Sequence, residues 1–142
     1  MIPFKLRKLD HVVLRVRDLQ KSLAFYRDVL GCPLDKVQER IGLWQVRAGD
    51  SLIDLIQLDG PLGRLGGTGP GAQGRNLDHF AIQVTPFDEA AIRAHLAEHK
   101  VEITDSGTRY GAEGDGPSIY IKDPDGNIVE LKGPPAAHAI GQ

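Results

Sequence analysis

The chain states one short pattern twice. Residues 9–16 read Leu9-Asp10-His11-Val12-Val13-Leu14-Arg15-Val16, and residues 77–84 read Leu77-Asp78-His79-Phe80-Ala81-Ile82-Gln83-Val84. Each is a β-type run with a histidine at the same place, and each is followed at once by a helix signal. A second correspondence lies further on. Ile53-Asp54-Leu55 has a twin in Val129-Glu130-Leu131, again strand-like with a carboxylate at the matched place. A repeat unit of about 60–70 residues is too long for a solenoid and points to a duplicated half-domain. Two histidines and two carboxylates at repeat-related positions are what a metal site on a pseudo-two-fold axis needs.

Each half reads as β-α-β-β-β, which makes the expected fold α+β, with two βαβββ modules related by a pseudo-two-fold. In the first half, His11–Val16 alternates as a strand does. Asp18 can cap a helix over Leu19–Leu30, with Leu19, Leu23, Tyr26 and Leu30 as its apolar face. Gly31 ends it, and Pro33 prevents continuation. Strands are predicted near Leu34–Arg40, Leu43–Ala48 and Ser51–Leu58, with a turn at Gly49-Asp50. In the second half, Thr85-Pro86 opens a helix with Asp88 as a capping-box partner and Ala91, Ile92, Leu96 and Ala97 as its apolar face. Strands near Val101–Arg109, Pro117–Ile121 and Asn127–Lys132 follow, and Asp123-Pro124-Asp125-Gly126 marks a turn.

Between the modules (8–58 and 77–132), the connector 59–76 carries seven glycines: Gly60, Gly63, Gly66, Gly67, Gly69, Gly71 and Gly74. It is read as either a lid or a plain linker. It is not a phosphate-binding loop, because no Gly-Lys-Ser/Thr ends it and a strand follows. The segment 133–142 is expected to be frayed.

At 142 residues the chain is long enough for one compact domain with a core. A net charge of −2 leaves no basic footprint for nucleic acid. No run approaches the length of a transmembrane helix, and no signal peptide is visible before Asp10. The single Cys32 can form no internal disulfide, so a cytoplasmic setting is expected.

Strand parity locates the chemistry. His11, Val13 and Arg15 share one face of the first strand; Asp54 shares a face with Leu52, Ile56 and Leu58; Glu130 shares one with Ile128 and Lys132. A carboxylate in an apolar row is costly to bury unpaired, and a cation or salt partner removes that cost. Imidazole and carboxylate donors suit Zn, Mn, Fe, Ni or Co, and ligand positions left open mark a catalytic site. His95 and His99, at i,i+4 on the second helix, read instead as a solvated face. No nucleophile elbow surrounds Ser51, Ser106 or Ser118, and Cys32 lacks a basic neighbour in sequence.

These residues resemble the vicinal oxygen chelate superfamily, which includes glyoxalase I, fosfomycin resistance proteins, methylmalonyl-CoA epimerase, extradiol dioxygenases and bleomycin resistance proteins. The resemblance runs over about residues 8–132. It is carried by Leu9-Asp10-His11-Val12, by Asp18-Leu19 leading to Phe25-Tyr26-Arg27-Asp28-Val29-Leu30-Gly31, and by Asp123-Pro124-Asp125-Gly126-Asn127-Ile128-Val129-Glu130-Leu131. It implies curled sheets forming a cup around one divalent metal ion held by His11, His79 and Glu130. Asp54 falls where glyoxalase I has a fourth ligand, a glutamate; the shorter side chain is a ligand here or a general base. The implied activity is Lewis-acid catalysis on a small oxygen-rich substrate, of isomerase, lyase or thiol-transferase type, in a homodimer.

Ser118-Ile119-Tyr120 is similar to the Ser and Tyr strand of fosfomycin resistance proteins, where a basic residue follows the last strand; here Lys132 and Gly133-Pro134-Pro135 follow. Trp44 and Tyr120 are candidate pocket walls, Ser118 is a candidate substrate contact, and Tyr120 is with Asp54 a candidate catalytic residue. Arg109, Arg64 or Arg75 are candidate anion grips or solvated charges. An Fe(II) extradiol-type dioxygenase and a metal-free drug-binding resistance protein are the alternative readings.

Overall fold

The computed structural model describes residues 1–135, so most of the expected frayed segment, 136–142, lies outside the described residues. The chain forms two compact units, Met1–Gly69 and a second from Pro70 onward, and the division falls inside the glycine-rich connector. Each unit holds one four-stranded mixed sheet, so the fold is α+β.

The first unit runs β1 (His11–Val16), α1 (Leu19–Ala24) passing directly into a π-helical turn (Phe25–Val29), then β2 (Leu34–Gln38), β3 (Leu43–Ala48) and β4 (Ser51–Gln57). Its sheet order is β1-β4-β3-β2. The unit's first and last strands pair in parallel, β1 with β4, and the other neighbours are antiparallel. Register partners share a face, so Leu14, Leu55, Ile53 and Val46 line one side. All four are buried, as are Leu19, Phe25 and Tyr26 of the helical segment. The opposite side carries His11, Gln45 and Asp54.

The second unit repeats the plan with β5 (His79–Gln83), α2 (Glu89–Glu98), β6 (Ile103–Gly111), β7 (Gly114–Lys122) and β8 (Ile128–Lys132). Its order is β5-β8-β7-β6, with β5 parallel to β8. Ile119, Ile121, Val129 and Leu131 are its buried row, and Leu96 of α2 is buried as well.

Three local details differ from the sequence reading. First, the helix after β1 does not stay α-helical to Leu30. Leu30 N–H donates to Phe25 O, five residues back, at 3.3 Å. Leu19, Ser22, Phe25 and Tyr26 are buried, whereas Leu23 and Leu30 are half-buried. Gly31, at φ +75°, ends the segment as expected. Second, α2 begins at Glu89 rather than at Thr85-Pro86. The Asp88 carboxylate accepts the Ala91 N–H at 3.1 Å and supplies the cap. Of Ala91, Ile92, Leu96 and Ala97, only Leu96 is fully buried.

Third, the connector carries local structure. It has a short 3-10 turn over Gly63–Gly66. Arg15 donates to the carbonyls of Gly67 and Thr68, both at 3.0 Å. Gly63 is required by close approach, since a Cβ there would lie 1.8 Å from Gln57 O.

The Asp123-Pro124-Asp125-Gly126-Asn127 motif is explained by a buried polar knot. Asp123 accepts the backbone N–H groups of Asp125 and Asn127 at 2.9 and 2.8 Å, and the Asn127 amide at 2.8 Å. Asn76 donates in turn to Asn127 Oδ1 at 3.1 Å. Asp123 and Asn127 are both buried. Among the described residues no helix is long and apolar enough to cross a membrane.

Two outcomes are expected. Asp123→Ala orphans buried donors and costs about 2–4 kcal/mol, read as a lower urea midpoint at unchanged m. Burial pushes the Cys32 thiol up to about 11, so only about one thiol in a thousand is ionised at pH 8. A disulfide reagent therefore reacts slowly with folded protein and at once after denaturation; stoichiometric reaction of folded protein within the mixing time contradicts this.

Candidate functional site

The two parallel strand pairs place one histidine against one carboxylate in each unit, by the same register. His11 pairs with Leu52 while Asp54, two residues on, pairs with Val13. His79 pairs with Ile128 while Glu130, two residues on, pairs with Ala81. Histidine and acid are thus diagonal neighbours on one face. His11 Nε2 lies 3.9 Å from Asp54 Oδ2, and His79 Nε2 lies 3.3 Å from Glu130 Oε1. The acids are sunk, at 3% and 6% exposure, beneath imidazoles that stay accessible.

The preceding aspartate fixes each ring. Asp10 Oδ2 is 2.8 Å from His11 Nδ1, and Asp78 Oδ2 is 2.7 Å from His79 Nδ1. A carboxylate only accepts, so Nδ1 carries a proton and Nε2 is the ring nitrogen turned toward the buried acid. The Asp10 hydrogen bond, with Asp54 adding to it against a lowering by desolvation, holds the His11 pKa above its ordinary value. The hydrogen bond to His79, then the Arg75 guanidinium, holds Asp78 below the usual carboxylate range.

The acids are held differently in the two units. Gln45, register partner of Asp54, donates to both carboxylate oxygens at 3.2 Å. Gln38 donates in turn to Gln45 Oε1 at 3.0 Å. In the second unit Ser118 Oγ donates to Glu130 Oε2 at 2.6 Å. Tyr120, register partner of Glu130, meets His79 edge-on with ring centroids 5.7 Å apart. The Arg109 guanidinium lies 5.6 Å from the Tyr120 ring centroid while paired with Asp105 at 3.0 Å.

Residues 8–131 match the family model described as the Glyoxalase/Bleomycin resistance protein/Dioxygenase superfamily. The chain belongs to this superfamily. The mitochondrial methylmalonyl-CoA epimerase of Mus musculus is 29% identical over 135 residues, spanning 91% of this chain and 74% of that one. A virulence protein of Salmonella typhimurium is 29% identical over 126 residues, spanning 87% and 82%. Among solved structures, an integron cassette protein from the mobile metagenome of V. cholerae is similar with a TM-score of 0.71 and 28% identity, covering 93% of this chain and 98% of that one.

Within this glyoxalase-type frame the remaining sequence candidates separate by face. Ser118, Tyr120 and Arg109 share the Glu130 face of the second sheet through the register of β6, β7 and β8. Trp44 does not share the Asp54 face: it pairs with Leu55 and stands half-buried on the core side, one residue away from Gln45. Arg64 is turned back to Asp59 O at 2.8 Å, and Arg75 braces Asp78 at 3.1 Å. The buried Lys132 amine donates to the carbonyls of Arg109 and Gly116 at 2.6 and 3.0 Å. Asp10, Asp78 and Gln45 are missing from the sequence candidates; the repeated Leu-Asp-His carries the signal for the first two.

Burial raises the Tyr120 phenol, the Glu130 carboxylate adds to that rise, and Arg109 opposes it. In metal-free protein, Glu130→Gln should therefore lower the Tyr120 titration and Arg109→Ala should raise it, followed by NMR of the labelled ring. Movement in the opposite directions refutes this electrostatic assignment.

Proposed function

We propose that the chain is a metal-dependent enzyme in which His11, His79 and Glu130 bind one divalent cation of the Zn, Mn, Fe, Ni or Co group. The observation that carries this is the twice-repeated unit of an aspartate-held imidazole with its Nε2 turned to a buried carboxylate. The donor set fits the group: imidazole and carboxylate with no thiolate suits a borderline divalent ion. A carboxylate hydrogen bond to the far nitrogen is also the usual support of a metal-bound histidine.

When bound, such an ion supplies Lewis acidity toward two neighbouring substrate oxygens. The protein's own groups do the rest. Asp10 and Asp78 hold the Nδ1 sides of the rings, so both Nε2 atoms are the ones turned to the site. Ser118 occupies Glu130 Oε2, which turns Oε1 toward His79. Asp54, fixed by the Gln45 amide, is the general base: its carboxylate accepts a proton from the substrate carbon beside the polarised oxygens. Tyr120 and Arg109 line the substrate side of Glu130. The reaction class is isomerase, lyase or thiol transfer on a small oxygen-rich molecule, and the resemblance to the mouse epimerase supports proton transfer at carbon.

Elemental analysis tests the reading. Extensively desalted protein should carry about one divalent ion per chain; His79→Ala and Glu130→Gln should retain less than a tenth of it. Asp78→Ala should bind about 10–100-fold more weakly, because only ring orientation is lost. Unchanged metal content in His79→Ala would sink the assignment.

A further inference from the structure

The last turn of α2 gathers a second set of metal-type donors that the reading above does not use. His95, Glu98 and His99 each offer one ligand atom, these atoms all lie within 4.8 Å of one another, and all three residues are exposed. The two imidazole rings stand 4.6 Å apart, centroid to centroid, at 57°. Spacing of i,i+4 puts both histidines on one helical face. The sequence reading leaves that face solvated; the structure agrees on solvation and places Glu98 beside the two rings.

Two local features favour a cation there. The His99 N–H donates to His95 O at 3.2 Å, so the third donor is tied into the same turn rather than lying on a loose loop. The helix also ends here, and the carbonyl end of a helix carries partial negative charge that attracts a cation within the last turn.

We propose that His95, Glu98 and His99 form a surface site for one borderline transition-metal dication, of the Zn²⁺, Ni²⁺ or Cu²⁺ class. Two imidazoles and one carboxylate favour these ions over Ca²⁺ or Mg²⁺, which take oxygen donors. Bonds of about 2.0–2.2 Å require the donors to close by about 1 Å, which exposed side chains do by rotamer change. The bound ion would clamp the end of a helix that buries only Leu96 fully.

Zn²⁺ calorimetry on the full chain tests this. The parent protein should take one equivalent more than His95→Ala/His99→Ala, and His79→Ala should keep that extra equivalent. Glu98→Gln, which leaves both rings, should weaken it about tenfold if the carboxylate is the third ligand. Added Zn²⁺ should raise the thermal midpoint of His79→Ala and leave that of a variant lacking His79, His95 and His99 unmoved. Equal stoichiometry and affinity in the parent and the His95/His99 variant overturns the site. Failure of the His11, His79 and Glu130 assignment would show differently, as identical binding by the parent and His79→Ala.

Discussion

Everything at the candidate site depends on a carboxylate placed in the middle of a strand that is covered on both sides. Asp54 sits between Ile53 and Leu55, and Glu130 between Val129 and Leu131, with all four neighbours buried. An isolated charge there would be strongly disfavoured, so the surroundings must answer it with donors or cations. The parallel pairing supplies the first answer, by setting a histidine diagonally across from each acid in both units. A one-residue slip of β1 on β4 would turn His11 to the core side and leave Asp54 without it. Register, rather than any single contact, is therefore what the site rests on.

The two copies have diverged in how they satisfy the same demand. Asp54 faces a neutral amide ladder, Gln38 to Gln45 to carboxylate. Glu130 faces a hydroxyl, with Tyr120 and the Arg109 guanidinium beyond it. Gln45 and Tyr120 hold equivalent register positions opposite the acids. The first copy fixes its acid symmetrically through both oxygens. The second occupies one oxygen with the Ser118 hydroxyl and leaves the other beside His79. The duplicated pattern thus yields two carboxylates with different surroundings.

His11, His79, Asp54 and Glu130 were legible because the repeat names them and strand parity orients them. The strands of both modules were legible for the same reason, since alternation survives in a single sequence. Gln45 was not, because its partnership with Asp54 exists only once β3 is laid on β4. The same register decides against Trp44: residues 44 and 45 look alike in sequence, and the pairing with Leu55 or Asp54 tells them apart. The π turn after α1 is hidden from the sequence because a single backbone hydrogen bond from Leu30 to Phe25 leaves no mark on the side-chain pattern. Asp10 and Asp78 were visible in the motif, but their work appears only when the Nδ1 atoms are placed.

The basic residues show why composition misleads about specificity. Lys132 spends its donors on the backbone of the β6–β7 hairpin, Arg75 on Asp78, and Arg64 on its own connector. Arg109 alone of these remains beside Tyr120, and it is already paired with Asp105. An anionic substrate reaching Arg109 would exchange one solvent-accessible ion pair for another. Pairs of that kind are worth about 0–1 kcal/mol each, so the exchange yields at most about a fivefold preference. Discrimination by charge is therefore weak at this position.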